Sequence, residues 1–153
     1  MVLLRSILTP ITIPLTLVYS CIIYLRNLFY DLGWFTTEDF KFPIISVGNV
    51  TTGGSGKTPL VMYVANLLIK NGKNPGIVSR GYGRKTQGLV VVHDGKKIKT
   101  KVESTGDEPF LMASSLKSVP IIVCEDRGEA IRHLLNSSKV NIIIIDDGFQ
   151  HRK

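Results

Sequence analysis

The stretch that decides the fold of this chain is Thr51-Thr52-Gly53-Gly54-Ser55-Gly56-Lys57-Thr58. It lies between a short apolar run, residues 43–47, and a segment over residues 58–71 whose apolar side chains recur at helical spacing. A glycine-rich loop between a strand and a helix is the setting of a P-loop, in which backbone N–H groups face a chain of phosphates. All eight residues of the loop are therefore predicted to contact a nucleotide. Lys57 is expected to reach the phosphates, and the Thr58 hydroxyl to bind Mg²⁺.

One position departs from the usual P-loop pattern. The glycine that normally opens the loop is replaced by Thr51, whereas the Gly56-Lys57-Thr58 end is intact. A plain glycine-rich turn is the alternative interpretation. The intact end and its position between a strand and a helix favour the nucleotide.

The segments around the loop alternate between apolar strands and helices. Strands are expected at residues 43–47, 76–79, 120–124 and 140–145, and helices at 58–71, 107–116 and 127–136. A β-hairpin is expected over residues 89–102, with an Asp94-Gly95 turn. Apolar strands that alternate with helices indicate an α/β fold of the P-loop NTPase type, with a mostly parallel sheet covered on both faces.

The first 40 residues form a separate hydrophobic segment, ahead of the core predicted for residues 41–153. Residues 6–25 carry no charge, and a membrane-spanning helix needs about 20 such residues. Pro10 and Pro14 argue against one straight helix. After Pro14 the apolar residues fall on one face, so a helix in the membrane interface fits as well as one that spans it. A buried core helix is the remaining alternative.

Most of the excess charge lies in one segment. The chain of 153 residues has a net charge of +7, yet residues 70–101 hold nine basic side chains and one acidic side chain. This pattern predicts an anionic partner, either a phosphorylated substrate or the headgroups of an anionic membrane. Nucleic acid is not expected, because few aromatic residues accompany the basic ones. The distant pair Cys21 and Cys124 excludes a disulfide scaffold and a four-cysteine zinc site.

Two acidic motifs are candidates for chemistry. The strand of isoleucines that ends in Asp146-Asp147 is expected to present a carboxylate to Mg²⁺ beside the P-loop, and either aspartate fits as the closer ligand. Asp107 has two interpretations. In the first, Thr105 and Glu108 form a capping box at a helix start. In the second, Asp107 accepts a proton from a substrate hydroxyl.

A basic loop follows the second predicted strand, with the sequence SRGYGRK at residues 79–85. Glycines beside arginine and tyrosine suit a mobile loop that clamps a phosphate. Arg80, Tyr82 and Arg84 are therefore the candidate substrate contacts, and a solvated basic loop is the alternative.

Four motifs in this order resemble the tetraacyldisaccharide 4'-kinase family of lipid A biosynthesis. They are Ile45–Pro59 with the P-loop, SRGYGRK at 79–85, GDEP at 106–109 and DDGFQHR at 146–152. The resemblance implies transfer of the γ-phosphoryl group of ATP to the 4'-hydroxyl of a tetraacylated disaccharide 1-phosphate, at the cytoplasmic face of a bacterial inner membrane. It also implies that Asp107 is the catalytic base, that Lys57 and Thr58 are the P-loop lysine and Mg²⁺ ligand, and that Asp146 and Asp147 lie near Mg²⁺.

The resemblance further implies a second, C-terminal part that closes over the nucleotide. Phosphoryl transfer depends on positioning in a water-poor site, so we expect the present chain to bind nucleotide with very low kinase activity. Two other functions stay open. One is a membrane-associated P-loop ATPase switch, although partitioning ATPases have lysine where this chain has Thr52. The other is a non-catalytic remnant that binds nucleotide or lipid.

Overall fold

The strands around the P-loop belong to one five-stranded sheet. The computed structural model describes residues 2–34, 38–49 and 56–148, with side chains from residue 13 onward. The chain divides into two compact units, residues 1–38 and residues 39–153. The first unit holds a long helix and the second holds the sheet.

The N-terminal unit contains helix α1 (Val2–Asp31), which runs through both Pro10 and Pro14. The helix is therefore continuous across the two prolines. Each proline removes one main-chain hydrogen bond, and the helix continues for several turns beyond them. Residues Ile13–Asp31 have the length and composition of a membrane-crossing helix, with a mean hydropathy of 1.3, and none of them is buried.

The sheet of the second unit has the strand order β1-β5-β2-β4-β3. The strands are β1 (Ile44–Val47), β2 (Pro75–Ser79), β3 (Val90–Asp94), β4 (Pro120–Val123) and β5 (Ile142–Asp146). The first four in spatial order are parallel, and only β3 runs antiparallel to its neighbour. The mostly parallel sheet predicted from the apolar strands is confirmed.

Helices cover both faces of this sheet. Helices α2 (Lys57–Lys70) and α3 (Asp107–Ser115) lie on one face, where Val61 and Met112 pack against Ile144. Helix α4 (Arg127–Ser137) covers the other face, with Leu134 against Ile143. Full burial of one such side chain contributes about 1.5–3 kcal/mol, so the apolar strands hold both layers of helices in place.

Parallel strands bring their carboxyl ends to one edge of the sheet, here called the carboxyl edge. Lys57, at the end of the P-loop, lies at this edge, where Arg80 follows β2 and Asp147 follows β5. Because β3 is antiparallel, it also begins there, with Val90 opposite Val123. The basic loop that joins β2 to β3 therefore stays at the carboxyl edge.

The predicted hairpin differs from the structure in its second strand. A turn forms at this point, but it is centred on Gly95 and Lys96, one residue later than predicted, because Asp94 N–H donates to the Lys97 carbonyl at 3.2 Å. Asp94 Oδ1 also accepts hydrogen bonds from the N–H groups of Lys96 and Lys97 at 2.8 Å. The returning chain, however, makes a single bridge between Ile98 and His93. It then leaves the sheet for a short 3₁₀ helix, Val102–Ser104. Strand β3 has its extended pairing with β4, on its other side.

The basic segment is continuous in sequence but divided in space. Lys70 is the last residue of α2, and Lys73 lies between α2 and β2. The turn over residues 94–99 lies at the same, amino-terminal edge of the sheet. Arg80 and Arg84 lie at the carboxyl edge. The excess charge therefore forms two separate basic regions. Lys99 Nζ forms an ion pair with Asp94 Oδ2 at 2.9 Å. This ion pair, together with the hydrogen bonds that Asp94 accepts from two backbone N–H groups, holds the pKa of Asp94 well below its usual range.

Candidate functional site

The P-loop end sits at the start of α2. Gly56 precedes the helix with a φ of 73°, a left-handed conformation that glycine adopts without strain. Lys57 is the first helical residue, and Thr58 is buried beside it. The predicted contacts of Thr51, Thr52, Gly53, Gly54 and Ser55 lie outside the described residues. The positive end of the α2 dipole faces this position.

Lys57 is paired with the first residue after β5. Its Nζ donates a hydrogen bond to Asp147 Oδ1 at 2.6 Å, across ninety positions of sequence. The two meet because β5 lies next to β1 in the sheet. The bond to Asp147 raises the pKa of Lys57, and burial only partly opposes this effect. Lys57 therefore carries its positive charge at neutral pH.

Asp146 is the buried member of the acidic pair, with 2% of its surface exposed. Ser79 Oγ donates to its Oδ2 at 3.0 Å, while its Oδ1 has no partner among the described residues. Burial raises the pKa of Asp146, and the hydrogen bond from Ser79 opposes this rise. An unpaired buried carboxylate oxygen is costly. A hard cation offers what this oxygen lacks, and Thr58, Asp146 and Asp147 carry the oxygen ligands that Mg²⁺ prefers, so their role as metal ligands stays a prediction.

These groups line one cleft of about 780 Å³. It joins the end of the P-loop, the two aspartates after β5, and Arg80 and Tyr82 from the basic loop. Ligand pockets typically measure about 300–1,000 Å³, so the cleft has the volume of a small-molecule site. The structure brings together the phosphate-binding and metal-binding candidates that the sequence places far apart.

The basic loop divides its side chains between the cleft and the protein interior. Arg80 and Tyr82 line the cleft, and Tyr82 is 90% exposed. Arg84 instead forms an ion pair with Glu125, and its Nη2 donates to the Gly88 carbonyl at 2.7 Å. Its side chain is only 3% exposed. These contacts make Arg84 a positioning residue for the loop and give no support to the predicted substrate contact.

The basic loop rests on the segment that leads into α3. Lys85 N–H donates to the Glu103 carbonyl at 2.9 Å, and Thr86 Oγ1 donates to the Ser104 carbonyl at 2.6 Å. Gly106 lies so close to Tyr82 that a Cβ there would stand 2.5 Å from the Tyr82 carbonyl oxygen. The position of the basic loop and the position of the α3 start are therefore coupled.

The start of α3 differs from the predicted capping box. The residue before the helix is Gly106, and no side chain caps it. Thr105 is buried, with its hydroxyl near the carbonyl of Val102 at 3.4 Å, so the Thr105–Glu108 cap is wrong. Glu108 lines the cleft, a position that its spacing alone did not indicate. Asp107 is exposed at the first position of α3 and is not among the cleft-lining residues, so its role as the base stays a prediction.

Arg127 is a buried charge that sequence reasoning missed. Its Nη1 donates to the carbonyls of Cys124 at 2.8 Å and Glu125 at 3.3 Å, and it begins α4 at the carboxyl edge. Burial lowers the pKa of Arg127, and the nearby charge of Arg80 adds to this effect. A cation in the first turn of a helix is unfavourable. An arginine at the first position of a helix is therefore the signal in the sequence that would have identified Arg127.

Replacing Arg84 with alanine is expected to loosen the basic loop and to destabilise the fold by about 1 kcal/mol, because Glu125 and Gly88 lose their common partner. Hydrogen exchange of the amides over residues 80–88 should become faster. The matched control is Arg80→Ala, which removes a similar side chain that points to the cleft. Equal exchange rates in the two variants would contradict the positioning role.

The whole chain was compared with protein families, with characterised proteins and with solved structures, and all three comparisons point to the same family. The family model for tetraacyldisaccharide-1-P 4'-kinase (LpxK) matches residues 8–153. A tetraacyldisaccharide 4'-kinase from Desulfotalea psychrophila is 43% identical over 148 residues, and one from Aquifex aeolicus is 43% identical over 141 residues. They cover 96% and 92% of this chain. A crystal structure of LpxK from Aquifex aeolicus in complex with ATP superposes with a TM-score of 0.83 over 97% of the chain.

The match covers only part of each relative. The chain spans 42% of the length of the Desulfotalea psychrophila protein and 44% of that from Aquifex aeolicus. In the crystal structure the matched region is 45% of the solved chain. More than half of each relative therefore has no counterpart in the chain described here.

Proposed function

The chain belongs to the tetraacyldisaccharide 4'-kinase family, and from that premise we propose that it carries the ATP-binding part of a lipid A precursor kinase. The observation that carries this proposal is the joint position of Lys57, Asp146 and Asp147 in one cleft. A phosphate-binding cation and two carboxylates at a strand end are the parts that phosphoryl transfer requires.

In the proposed mechanism, binding of the nucleotide phosphates depends on Lys57. Its ammonium group lies at the cleft, in an ion pair with Asp147 at 2.6 Å. Because the Asp147 side chain is about half exposed, we propose that the ammonium group can leave this pair and turn toward a phosphate oxygen. The α2 N-terminus adds backbone N–H groups and a positive dipole end. We assign these groups to the β- and γ-phosphates of ATP.

Binding of Mg²⁺ is assigned to Thr58, Asp146 and Asp147. When bound, Mg²⁺ neutralises the charge on the phosphates that approach the acceptor. Ser79 orients Asp146 through its hydrogen bond to Oδ2 at 3.0 Å and leaves the other carboxylate oxygen without a partner among the described residues. Asp147, which pairs with Lys57 at 2.6 Å, would hold the metal together with Thr58 and Asp146.

Binding and deprotonation of the acceptor are assigned to the start of α3 and the basic loop. Asp107 is proposed to accept the proton of the 4'-hydroxyl of a tetraacyldisaccharide 1-phosphate as the phosphoryl group arrives. Arg80 and Tyr82, on the cleft side of the loop, are proposed to contact this acceptor. Arg80 supplies a charge suited to a phosphate, since guanidinium groups bind phosphates in a bidentate manner.

Contact with the membrane is assigned to α1. Its exposed apolar side chains, among them Leu15, Val18 and Ile22, offer a surface that lipid covers without cost to backbone hydrogen bonds. An acylated acceptor resides in a bilayer, so a membrane-bound N-terminal helix keeps the enzyme near it. We propose attachment at the cytoplasmic face, where ATP is present.

The test is nucleotide binding by the chain itself. A fluorescent ATP analogue is expected to bind in a Mg²⁺-dependent manner, and Lys57→Ala is expected to weaken binding by roughly 10–100-fold, since a hydrogen bond to a charged group contributes about 1.5–3 kcal/mol. Lys70→Ala, at the other end of α2, is the matched control and should leave binding unchanged. Absence of nucleotide binding by the wild-type chain would contradict the proposal.

Transfer is measured separately, with ATP and tetraacyldisaccharide 1-phosphate in mixed micelles. We expect nucleotide binding with very little transfer from this chain alone. Full turnover would contradict that expectation, while hydrolysis stimulated by vesicles without any acceptor would favour the ATPase switch instead.

A further inference from the structure

Helix α2 has a proline at its third position. The first N–H groups of a helix have no partner inside it, and in a P-loop such groups face the phosphates of the ligand. Lys57 and Thr58 have these groups, whereas Pro59 has none. The next N–H, that of Leu60, already donates to the Gly56 carbonyl at 3.1 Å. The start of α2 therefore offers one backbone donor fewer than a helix without a proline there.

Pro59 lies at the place where this donor would meet a ligand. It is exposed and lines the cleft of about 780 Å³ together with Lys57 and Asp146. The buried Asp146 Oδ1, which has no partner among the described residues, marks this cleft as a ligand site independently of the helix. The N–H groups of a first turn point out of the helix end. Any residue other than proline at position 59 would therefore add a donor beside the cleft.

The corresponding positions of α3 and α4 show how structure alone accounts for the third residue of a helix. In α4 this residue is Glu129, and its N–H donates to Asp126 Oδ1 at 3.2 Å. In α3 it is Pro109, which is buried and is not among the described residues that line the cleft. Pro109 therefore contributes to packing. Pro59 is exposed, so burial in the core does not explain it.

We propose that Pro59 is a specificity-determining residue that withholds a backbone hydrogen bond from the α-phosphate of the nucleotide. This inference rests on the proposed nucleotide site. There the Lys57 side chain and the metal assigned to Thr58 serve the β- and γ-phosphates. Backbone N–H groups of a P-loop cradle the α- and β-phosphates. A donor missing from the backbone at Pro59 is therefore a contact that the α-phosphate loses.

The consequence is a weaker hold on every nucleotide. Hydrogen bonds from N–H groups to phosphate are strong because the acceptor is charged. ATP and ADP both carry the α-phosphate, so the affinity for both falls by the same factor. The contacts that distinguish ATP from ADP, at the γ-phosphate, are unchanged. A weaker hold on ADP speeds release of the product, a step that limits turnover in many enzymes.

A purely structural role for Pro59 is the competing explanation. Proline presets the backbone for the first turn of a helix and restricts the unfolded chain, so it stabilises a protein without any contact to a ligand. Both explanations predict a slightly lower melting temperature for Pro59→Ala. They differ in nucleotide binding, which a structural proline supports and which the proline proposed here weakens.

The test is displacement of a fluorescent ATP analogue from the full chain by ATP, ADP and pyrophosphate, each with Mg²⁺. Pro59→Ala is expected to raise the affinity for ATP and for ADP about tenfold, since it adds one hydrogen bond to a charged group. The affinity for pyrophosphate, which has no α-phosphate, should change by less than about twofold. The matched control is Pro109→Ala, which restores an N–H at the same position of α3 and should leave all three affinities unchanged.

Sulfur in place of an α-phosphate oxygen identifies the phosphate that the new donor meets. Sulfur accepts hydrogen bonds poorly, so one diastereomer of ATPαS should gain about fivefold less than ATP from Pro59→Ala. Equal gains for ATP and both diastereomers would overturn the assignment to the α-phosphate. A gain for pyrophosphate as large as that for ADP would overturn it as well, because the donor would then serve the β-phosphate.

Unchanged or weaker binding of ATP by Pro59→Ala would overturn the proposal and leave the structural role. In that case nucleotide binding by the wild-type chain would still support the proposed function. A wild-type chain that binds no nucleotide would contradict the proposed function and this inference with it, so the two failures are distinguishable.

Discussion

Asp146→Asn is expected to stabilise the nucleotide-free chain at neutral pH and to remove the Mg²⁺ dependence of nucleotide binding. Asp146 is 2% exposed and one of its oxygens has no partner among the described residues. Asparagine has nearly the same shape without the buried charge, whose desolvation is costly. The same change removes a carboxylate from the proposed metal donor set, so stability and nucleotide binding should change in opposite directions.

The pH dependence of this effect follows from the raised pKa of Asp146, which burial causes. At a pH between the unfolded and folded values, the folded state binds the proton and the unfolded state does not. The free energy of unfolding therefore falls as pH rises through that window, and the full cost is present above it. Asp146→Asn should abolish this contribution, so the gain in melting temperature should be largest at neutral pH and vanish in acid.

Thermal melts across acidic to neutral pH, with nucleotide titrations in Mg²⁺ and in chelator, test both parts. Asp147→Asn is the comparison, because its side chain is 56% exposed and pairs with Lys57 at the surface. It is expected to affect nucleotide binding without raising the melting temperature. A lower melting temperature for Asp146→Asn, or undiminished Mg²⁺ dependence, would contradict the assignment.

Gly106→Ala is expected to destabilise the chain by about 3 kcal/mol, since the strain of a glycine-only backbone conformation costs about 1–3 kcal/mol and a main-chain clash adds to it. Gly106 has φ 87° and ψ 161°. The added Cβ would meet the Tyr82 carbonyl oxygen at 2.5 Å. Relief requires the basic loop to move away from the α3 start, so Arg80 and Asp107 should lose their relative positions.

Gly83→Ala is the matched control for that experiment. Gly83 also has a positive φ, 77°, but nothing lies within 4 Å of its Cβ position. It should therefore cost only about 1 kcal/mol, the strain of a left-handed residue. Urea unfolding of both variants measures the difference in their free energies of unfolding. Equal destabilisation would show that the close approach of Gly106 to Tyr82 does not contribute to stability.

The main elements of this fold were predictable because their signals are local. The strand before the P-loop, the helix after it and the isoleucine strand that ends in Asp146 depend on apolar runs and glycine positions within a few residues. Parallel pairing followed from strands that are apolar on both faces, such as β5. The position of Lys57 beside Asp147 followed in turn, because parallel strands end at one edge.

The details of the site were not predictable in this way. Arg80 and Arg84 lie in the same glycine-rich loop, yet one lines the cleft and the other pairs with Glu125. Thr105 and Glu108 have the spacing of a cap that does not form. The basic segment appeared to be one region, but the reversal of the chain at β3 places its halves at opposite edges of the sheet.

The sequence by itself determined the order of strands and helices, the P-loop and the pair of aspartates at a strand end, since periodicity and glycine placement report local backbone conformation. Only the tertiary structure decided which neighbouring side chains meet in the cleft and how the basic segment divides between the two ends of the strands. Those outcomes depend on how packed elements are rotated and ordered against each other, and residues far apart in sequence set that arrangement.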